Sequence, residues 1–188
     1  GGEGGHAIAD VLFGDYNPAG RLPVSVARNE GQLPIYYSKG KQRAYMDGEA
    51  NALYSFGYGL SYTEFEYSNF SIEDKGKTIE VNVDVKNVGD MDGKHTVQIY
   101  FQSPYTQYDI DNLVEKAAVE ICGFDKKMIA AGATEHFTIT VNKEDLTSYD
   151  YMKAKTYILD AGDYYFTVGR NAHDAVNNIQ QIVAYNTR

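Results

Sequence analysis

Between Thr78 and Lys86 the chain reads Thr-Ile-Glu-Val-Asn-Val-Asp-Val-Lys, and this strict alternation restricts the fold more than any other stretch of the 188 residues. In an extended chain successive side chains point to opposite faces. Ile79, Val81, Val83 and Val85 therefore share one face, and Glu80, Asn82, Asp84 and Lys86 share the other. A helix would scatter these residues round its axis. A sheet with one covered and one wet face accommodates them all, which is the habit of antiparallel β proteins.

Residues 87–93 (NVGDMDG) carry turn chemistry, and Lys94 to Gln102 supplies a second strand with Val97, Ile99 and Phe101 inward. Further strands are expected at Glu64–Ile72, Ala117–Phe124, Glu135–Val141, Lys155–Leu159 and Asp163–Gly169. Turn signals stand at Ala131-Gly132 and Ala161-Gly162, and Ser103 to Asn112 reads as a polar loop. About seven short strands without long helices between them predict an antiparallel β-sandwich of immunoglobulin or fibronectin type III kind. The 17 Tyr and 8 Phe suit such half-buried pleated surfaces, although Trp is absent.

The ends of the chain have a different period. Gly1 to Gly5 reads as a flexible opening, and Ala7, Ile8, Val11 and Leu12 recur at helical spacing ahead of Gly14, a natural helix terminator. Asn17-Pro-Ala-Gly20 is turn chemistry, and Leu22–Val26 and Leu33–Tyr37 are brief apolar runs, the first a candidate strand. At the other end Ala172, Ala175, Val176, Ile179, Ile182 and Val183 lie on one helical face, with Asn171 as N-cap. The expected division is 1–52, 53–170 and 171–188.

The charge sum, 17 basic against 26 acidic residues, gives −9 and argues against nucleic acid and anionic lipid as partners. No apolar run approaches the roughly 20 residues of a membrane span, and no signal peptide opens the chain. Cys122, the single cysteine, falls in a strand and reads as an inert thiol. His6, His95, His136 and His173 have no metal-ligand spacing: His95 reads as a core or edge histidine and His136 as solvated. Asp90-Met-Asp-Gly93 and Asp109-Ile-Asp-Asn112 faintly resemble calcium loops but lack the flanking helices and distal Glu, so they read as a hairpin turn and a surface loop. No cofactor or metal is expected, and no carboxylate pair stands out for glycoside chemistry. Asn69-Phe-Ser71 is a formal glycosylation sequon.

The tyrosines support one binding reading. Tyr100, Tyr105, Tyr108, Tyr164 and Tyr165 are candidates for a platform on which sugar rings stack, as in a carbohydrate-binding module; a protein-binding sandwich is a third reading.

Two long motifs resemble a known family. Residues 4–24 (GGHAIADVLFGDYNPAGRLPV) look like the end of the α/β sandwich domain of glycoside hydrolase family 3 enzymes, the β-glucosidases and β-xylosidases. Residues 53–65 (LYSFGYGLSYTEF) are similar to the aromatic-glycine segment that enters the family's fibronectin type III-like domain. Residues 43–47 (RAYMD), 85–93 (VKNVGDMDG) and 161–169 (AGDYYFTVG) follow in the family's order, with Ser55 where Pro is usual. The resemblance implies a retaining β-glycosidase parent whose nucleophile, an Asp in a Ser-Asp-Trp-like context, and whose acid/base Glu both lie outside this chain. It gives Glu3 no catalytic role. It implies an accessory piece whose partners are the parent's barrel and α/β sandwich domains and which meets carbohydrate only through the parent. Tyr54, Phe56, Gly57, Tyr58, Gly59, Tyr62 and Phe65 become candidate domain-docking residues.

Overall fold

The alternating strands form two three-stranded antiparallel sheets in the computed structural model, which describes residues 2–32 and 52–186. The Leu33–Tyr37 run and residues 43–47 lie outside those described. In chain order the elements are α1 (Gly4–Phe13), β1 (Val26–Ala27), β2 (Ala52–Tyr54), β3 (Phe65–Asp74), β4 (Thr78–Asn87), β5 (Gly93–Gln102) and α2 (Gln107–Asn112). There follow β6 (Glu120–Ile129), β7 (Thr134–Asn142), β8 (Ser148–Asp150), β9 (Thr156–Ile158), β10 (Tyr165–Gly169) and α3 (Ala172–Asn186). One sheet has the order β3-β4-β7 and the other β10-β5-β6, with small pairs β1-β2 and β8-β9 beside them.

The main core fills the space between the two sheets. Val81, Val83 and Val85 of β4 meet Val97, Ile99 and Phe101 of β5, with Phe137 of β7 between them, all essentially without solvent exposure. Each such side chain contributes about 1.5–3 kcal/mol of burial energy. The outer face of β4 stays wet, as the alternation requires. There His136 Nδ1 meets Asp84 Oδ1 at 2.6 Å, and the Thr138 hydroxyl donates to Asn82 Oδ1 at 2.7 Å.

A second core lies on the far face of β5. Ala172, Ala175, Val176 and Ile179 of α3 cover Tyr100 and Val119. Asn171 is the N-cap as expected, its Oδ1 accepting from the Asp174 N–H at 3.0 Å. β5 is thereby dry on both sides, with even Thr96 and Gln98 buried. The molecule is three layers deep here, helix on sheet on sheet.

Several expectations need correction. Ser103 to Asn112 is not all loop. Thr106 and Asp109 form a reciprocal capping box that starts α2, the arrangement that makes a short polar run helical. Asp109, expected in a surface loop, is fully buried, because Lys116 Nζ reaches its Oδ2 at 2.8 Å and Asp160 Oδ2 at 2.5 Å. The strand placed at Ala117–Phe124 instead runs Glu120–Ile129, since pairing with β5 from Phe101↔Glu120 to Gly93↔Ile129 sets its ends. Of Leu22–Val26 only Val26 is in a strand, paired to Tyr54. The opening glycines are helical from Gly4, and Gly14 ends α1 in a left-handed conformation. β8 (Ser148–Asp150) carries no apolar alternation, so its pairing with β9 is a feature of the structure that no sequence pattern predicts.

Two variants separate the faces of β7. Phe137→Ala is expected to destabilise by about 3–5 kcal/mol through the cavity it leaves. Thr140→Ala, on the exposed face, should stay within about 0.5 kcal/mol. Urea midpoints at unchanged slope are the measurement.

Candidate functional site

The aromatic-glycine segment is the seam of the molecule. Its backbone runs between the leader, residues 14–27, and the far face of β5. The Gly57 N–H donates to the Leu22 carbonyl and the Leu22 N–H to the Tyr58 carbonyl, both at 2.8 Å. The Phe56 N–H donates to Ser25 Oγ at 3.2 Å, while the Phe56 carbonyl accepts the first helical N–H of α3, that of Ala172, at 2.9 Å. Gly57 has φ +81°, and a Cβ there would run into Gln98 Oε1 and the Tyr100 hydroxyl. Only glycine provides both the left-handed turn and the close approach. Gly59 likewise lies against the Gly20 carbonyl and Arg21.

Gln98 holds this seam from below. Its Nε2 donates to the carbonyls of Gly57 at 3.1 Å and Arg170 at 3.0 Å, and its Oε1 accepts from the Tyr100 hydroxyl at 2.8 Å. Asn17 closes the outer end. Its Oδ1 accepts from the Tyr62 N–H at 2.7 Å, and its Nδ2 donates to Ser61 Oγ at 3.1 Å. The Tyr62 hydroxyl donates to the Val11 carbonyl in α1 at 2.7 Å, and Lys126 Nζ on β6 donates to the Ala19 carbonyl at 2.9 Å. The Pro-Ala-Gly turn is thus tied to the sandwich from both sides.

The candidate docking residues divide between this interior and the surface. Phe65 is buried in the main core, and Gly57 is buried in the seam. Phe56, Tyr58 and Gly59 are half-buried. Tyr54 and Tyr62 are exposed, and the Tyr54 and Tyr58 rings lie 4.8 Å apart. Arg21, Leu22, Pro23, Phe56 and Phe124 border a hollow of about 520 Å³ beside the seam. Phe124 is 70% exposed, and on α1 Ile8, Leu12 and Phe13 are 62%, 71% and 83% exposed.

The five platform tyrosines do not share a surface. Tyr100 is wholly buried in the second core. Tyr164 and Tyr165 are consecutive on the chain, so one packs on the main core and the other on the second. The Tyr108 hydroxyl donates to Asp150 Oδ2 at 2.6 Å, and Lys153 Nζ stands 5.1 Å from its ring. Only Tyr105 and Tyr165 come together, beside a hollow of about 600 Å³ that Lys116 and Asp163 also line.

Titration chemistry here is structural. Burial pushes the Cys122 thiol up to about 12. Asp150 is held down at about 2 by the Lys153 N–H, the Tyr108 hydroxyl and further backbone donors, which lock the β8-β9 hairpin. Burial opposes the charge on Lys116, but its two carboxylate partners outweigh that and raise its pKa. Among the described residues no cluster of three or more His, Cys, Asp or Glu is arranged to hold a metal ion. No helix among them is long and apolar enough to cross a membrane.

The fold and its seam define a fibronectin type III-like β-sandwich entered through an aromatic-glycine segment. A model of the fibronectin type III-like domain matches residues 95–172, and a model of the glycosyl hydrolase family 3 C-terminal domain matches residues 1–62. The chain is 34% identical to thermostable β-glucosidase B of Acetivibrio thermocellus, over 92% of its own length and 24% of that protein's. It is 38% identical to xylan 1,4-β-xylosidase of Xylanibacter ruminicola, over 93% of its length and 20% of the relative's. The structure of β-glucosidase 3B from Thermotoga neapolitana in complex with glucose superposes with a TM-score of 0.78 at 28% identity, covering 92% of this chain and 25% of that one. The chain belongs to glycoside hydrolase family 3, and it corresponds to the C-terminal region of the family's β-glucosidase and β-xylosidase type enzymes. It spans about a quarter of the length of the relatives it matches.

Two substitutions test the internal ties. Gly57→Ala should cost at least about 2 kcal/mol, because left-handed strain adds to the displacement of Gln98; the urea midpoint reads it. Lys116→Met leaves Asp109 and Asp160 as unpaired buried carboxylates and should cost about 3–5 kcal/mol at pH 7. The sign against pH then inverts. In the parent protein the lowered pKa of Asp109 contributes stability that is lost in acid. In the variant burial, the largest influence on Asp109, is no longer opposed by Lys116 and raises that carboxyl's pKa, so stability is regained as the pH falls from 7 towards 4. A variant whose melting temperature falls with pH as the parent's does would contradict the ion-pair account.

Proposed function

We propose that this chain is the accessory, structural part of a retaining, exo-acting family 3 β-glycosidase, most similar to the β-glucosidases, and that it buttresses the catalytic domains without contributing a catalytic carboxylate. In this reading residues 1–52 belong to the α/β sandwich domain and its linker, 53–170 to the fibronectin type III-like sandwich, and 171–188 to a closing helix. Its partners are the barrel and α/β sandwich domains of the same enzyme. It reaches carbohydrate through them.

The observation that carries this reading is the contrast between the two halves of the seam. The leader is stitched to the sandwich by backbone and part-buried side-chain hydrogen bonds. α1, which the leader continues, has no buried residue and turns Ile8, Leu12 and Phe13 to solvent. An amphipathic helix draws its stability from the surface it covers. A helix held firmly at one end and left bare along its apolar face fits a joint between this sandwich and a larger α/β domain. The carbohydrate-binding alternative draws on Tyr105 and Tyr165 alone, too few for a platform.

The purified chain is expected to release no aryl alcohol from aryl β-glucosides or aryl β-xylosides. Turnover that co-elutes with the folded chain in gel filtration, and survives its repurification, would sink the accessory reading.

A further inference from the structure

A hollow of about 340 Å³ opens where the leader, the entry to β3 and the start of α3 meet. It does not depend on the parent-enzyme reading. Arg21 and Arg170 both line it. Each guanidinium carries five N–H donors in a rigid fork. One donor of Arg21 is spent on the Gly20 carbonyl at 2.9 Å, and one of Arg170 on the Phe65 carbonyl at 3.4 Å. Neither guanidinium has a carboxylate within ion-pair distance among the described residues, in a chain with a net charge of −9. Glu64 at the rim is the one acidic residue in the lining. The serine and threonine hydroxyls of the lining are occupied: Ser61 Oγ with Asn17, and Thr63 Oγ1 donating to Asn87 Oδ1 at 2.5 Å.

His95 forms part of the same wall and is only 4% exposed. Phe65 packs against its ring at 4.2 Å, and Tyr67 bonds its Nε2 at 2.8 Å. Its Nδ1 is buried and has no hydrogen-bond partner. Burial first, and then the two nearby guanidiniums, hold the imidazole neutral, with a pKa near 3. Burial keeps Tyr67 protonated, with a pKa pushed up to about 12. A neutral ring that accepts the Tyr67 proton at Nε2 carries its own proton on Nδ1. The hollow thus gathers two guanidinium forks, each with one of its five donors spent, beside a neutral imidazole. Forked guanidiniums match the geometry of carboxylate and phosphate oxygens.

We propose that this hollow binds a small oxyanion, a carboxylate or a phosphate, with Arg21 and Arg170 as its forks and the neutral His95 ring in its wall. The two chemistries are separated by titrating acetate and inorganic phosphate in turn into the 15N-labelled chain, with chloride adjusted to hold ionic strength constant. Saturable shifts of the His95 side-chain nitrogen and of the Arg21 and Arg170 Nε resonances are expected with at least one of them. Saturation by acetate assigns a carboxylate site, and saturation by phosphate alone assigns a phosphate site. Arg170→Gln should weaken binding at least about tenfold, and Arg170→Lys should weaken it too, since a point charge lacks the fork. Lys143→Gln, a distant charge removal, should leave affinity unchanged. Shifts that stay linear in anion concentration, or that saturate at residues away from the hollow, overturn the proposal. So does saturation that Arg170→Gln leaves intact. If Arg170→Gln does not fold, the location and saturation of the shifts in the unmodified chain decide alone.

Discussion

A glutamine on the far face of β5 holds the molecule's third layer in place. Gln98 sits where strand alternation directs a polar side chain outward, yet it is buried, and its amide binds Gly57, Arg170 and Tyr100 together. A buried amide without partners would cost several kcal/mol, so this face can be dry only while the seam and α3 occupy their places. The dependence is mutual: the carbonyls of Gly57 and of Arg170, just ahead of α3, both accept from the same Gln98 Nε2. The second core, with Tyr100 at its base, exists because of that arrangement.

The opposite sheet shows what the sandwich does without such a cover. β4 and β7 keep a wet outer face on which His136, Asp84, Asn82 and Thr138 bond to one another. Asn69, in the formal sequon, sits at the β3 bulge with φ 52°, and its Nδ2 donates to Asp84 Oδ2 at 2.8 Å. One face of the sandwich is thus finished towards water and the other towards protein.

Charge is handled in two ways. Lys116 is surrounded by Asp109, Asp160 and the Pro104 carbonyl, a compact cluster in which one ammonium serves two carboxylates. Around His95 stand two guanidiniums, Arg21 and Arg170, neither ion-paired among the described residues, with Glu64 the one acidic residue in the lining. The buried lysine sits in a closed ion-pair cluster, whereas the more exposed guanidiniums of Arg21 and Arg170 border an open hollow.

Alternation alone located β4 and much of β5 and β7, because a period of two has one structural meaning and a covered face permits no slip of register. Helical spacing with Gly14 and Asn171 likewise located α1 and α3, since caps are local chemistry. The long motifs around Asn17 and Gly57 made the family legible, though not the reason for their residues. What only the tertiary structure decided was which outward-facing residues become dry. Thr96, Gln98 and Tyr100 read from sequence as a surface, and Tyr100 as part of a sugar platform. Asp109 read as a loop carboxylate. Each is buried by a segment tens of residues away in the chain. Burial of that kind follows from packing between distant elements, and no local pattern of polar and apolar residues encodes it.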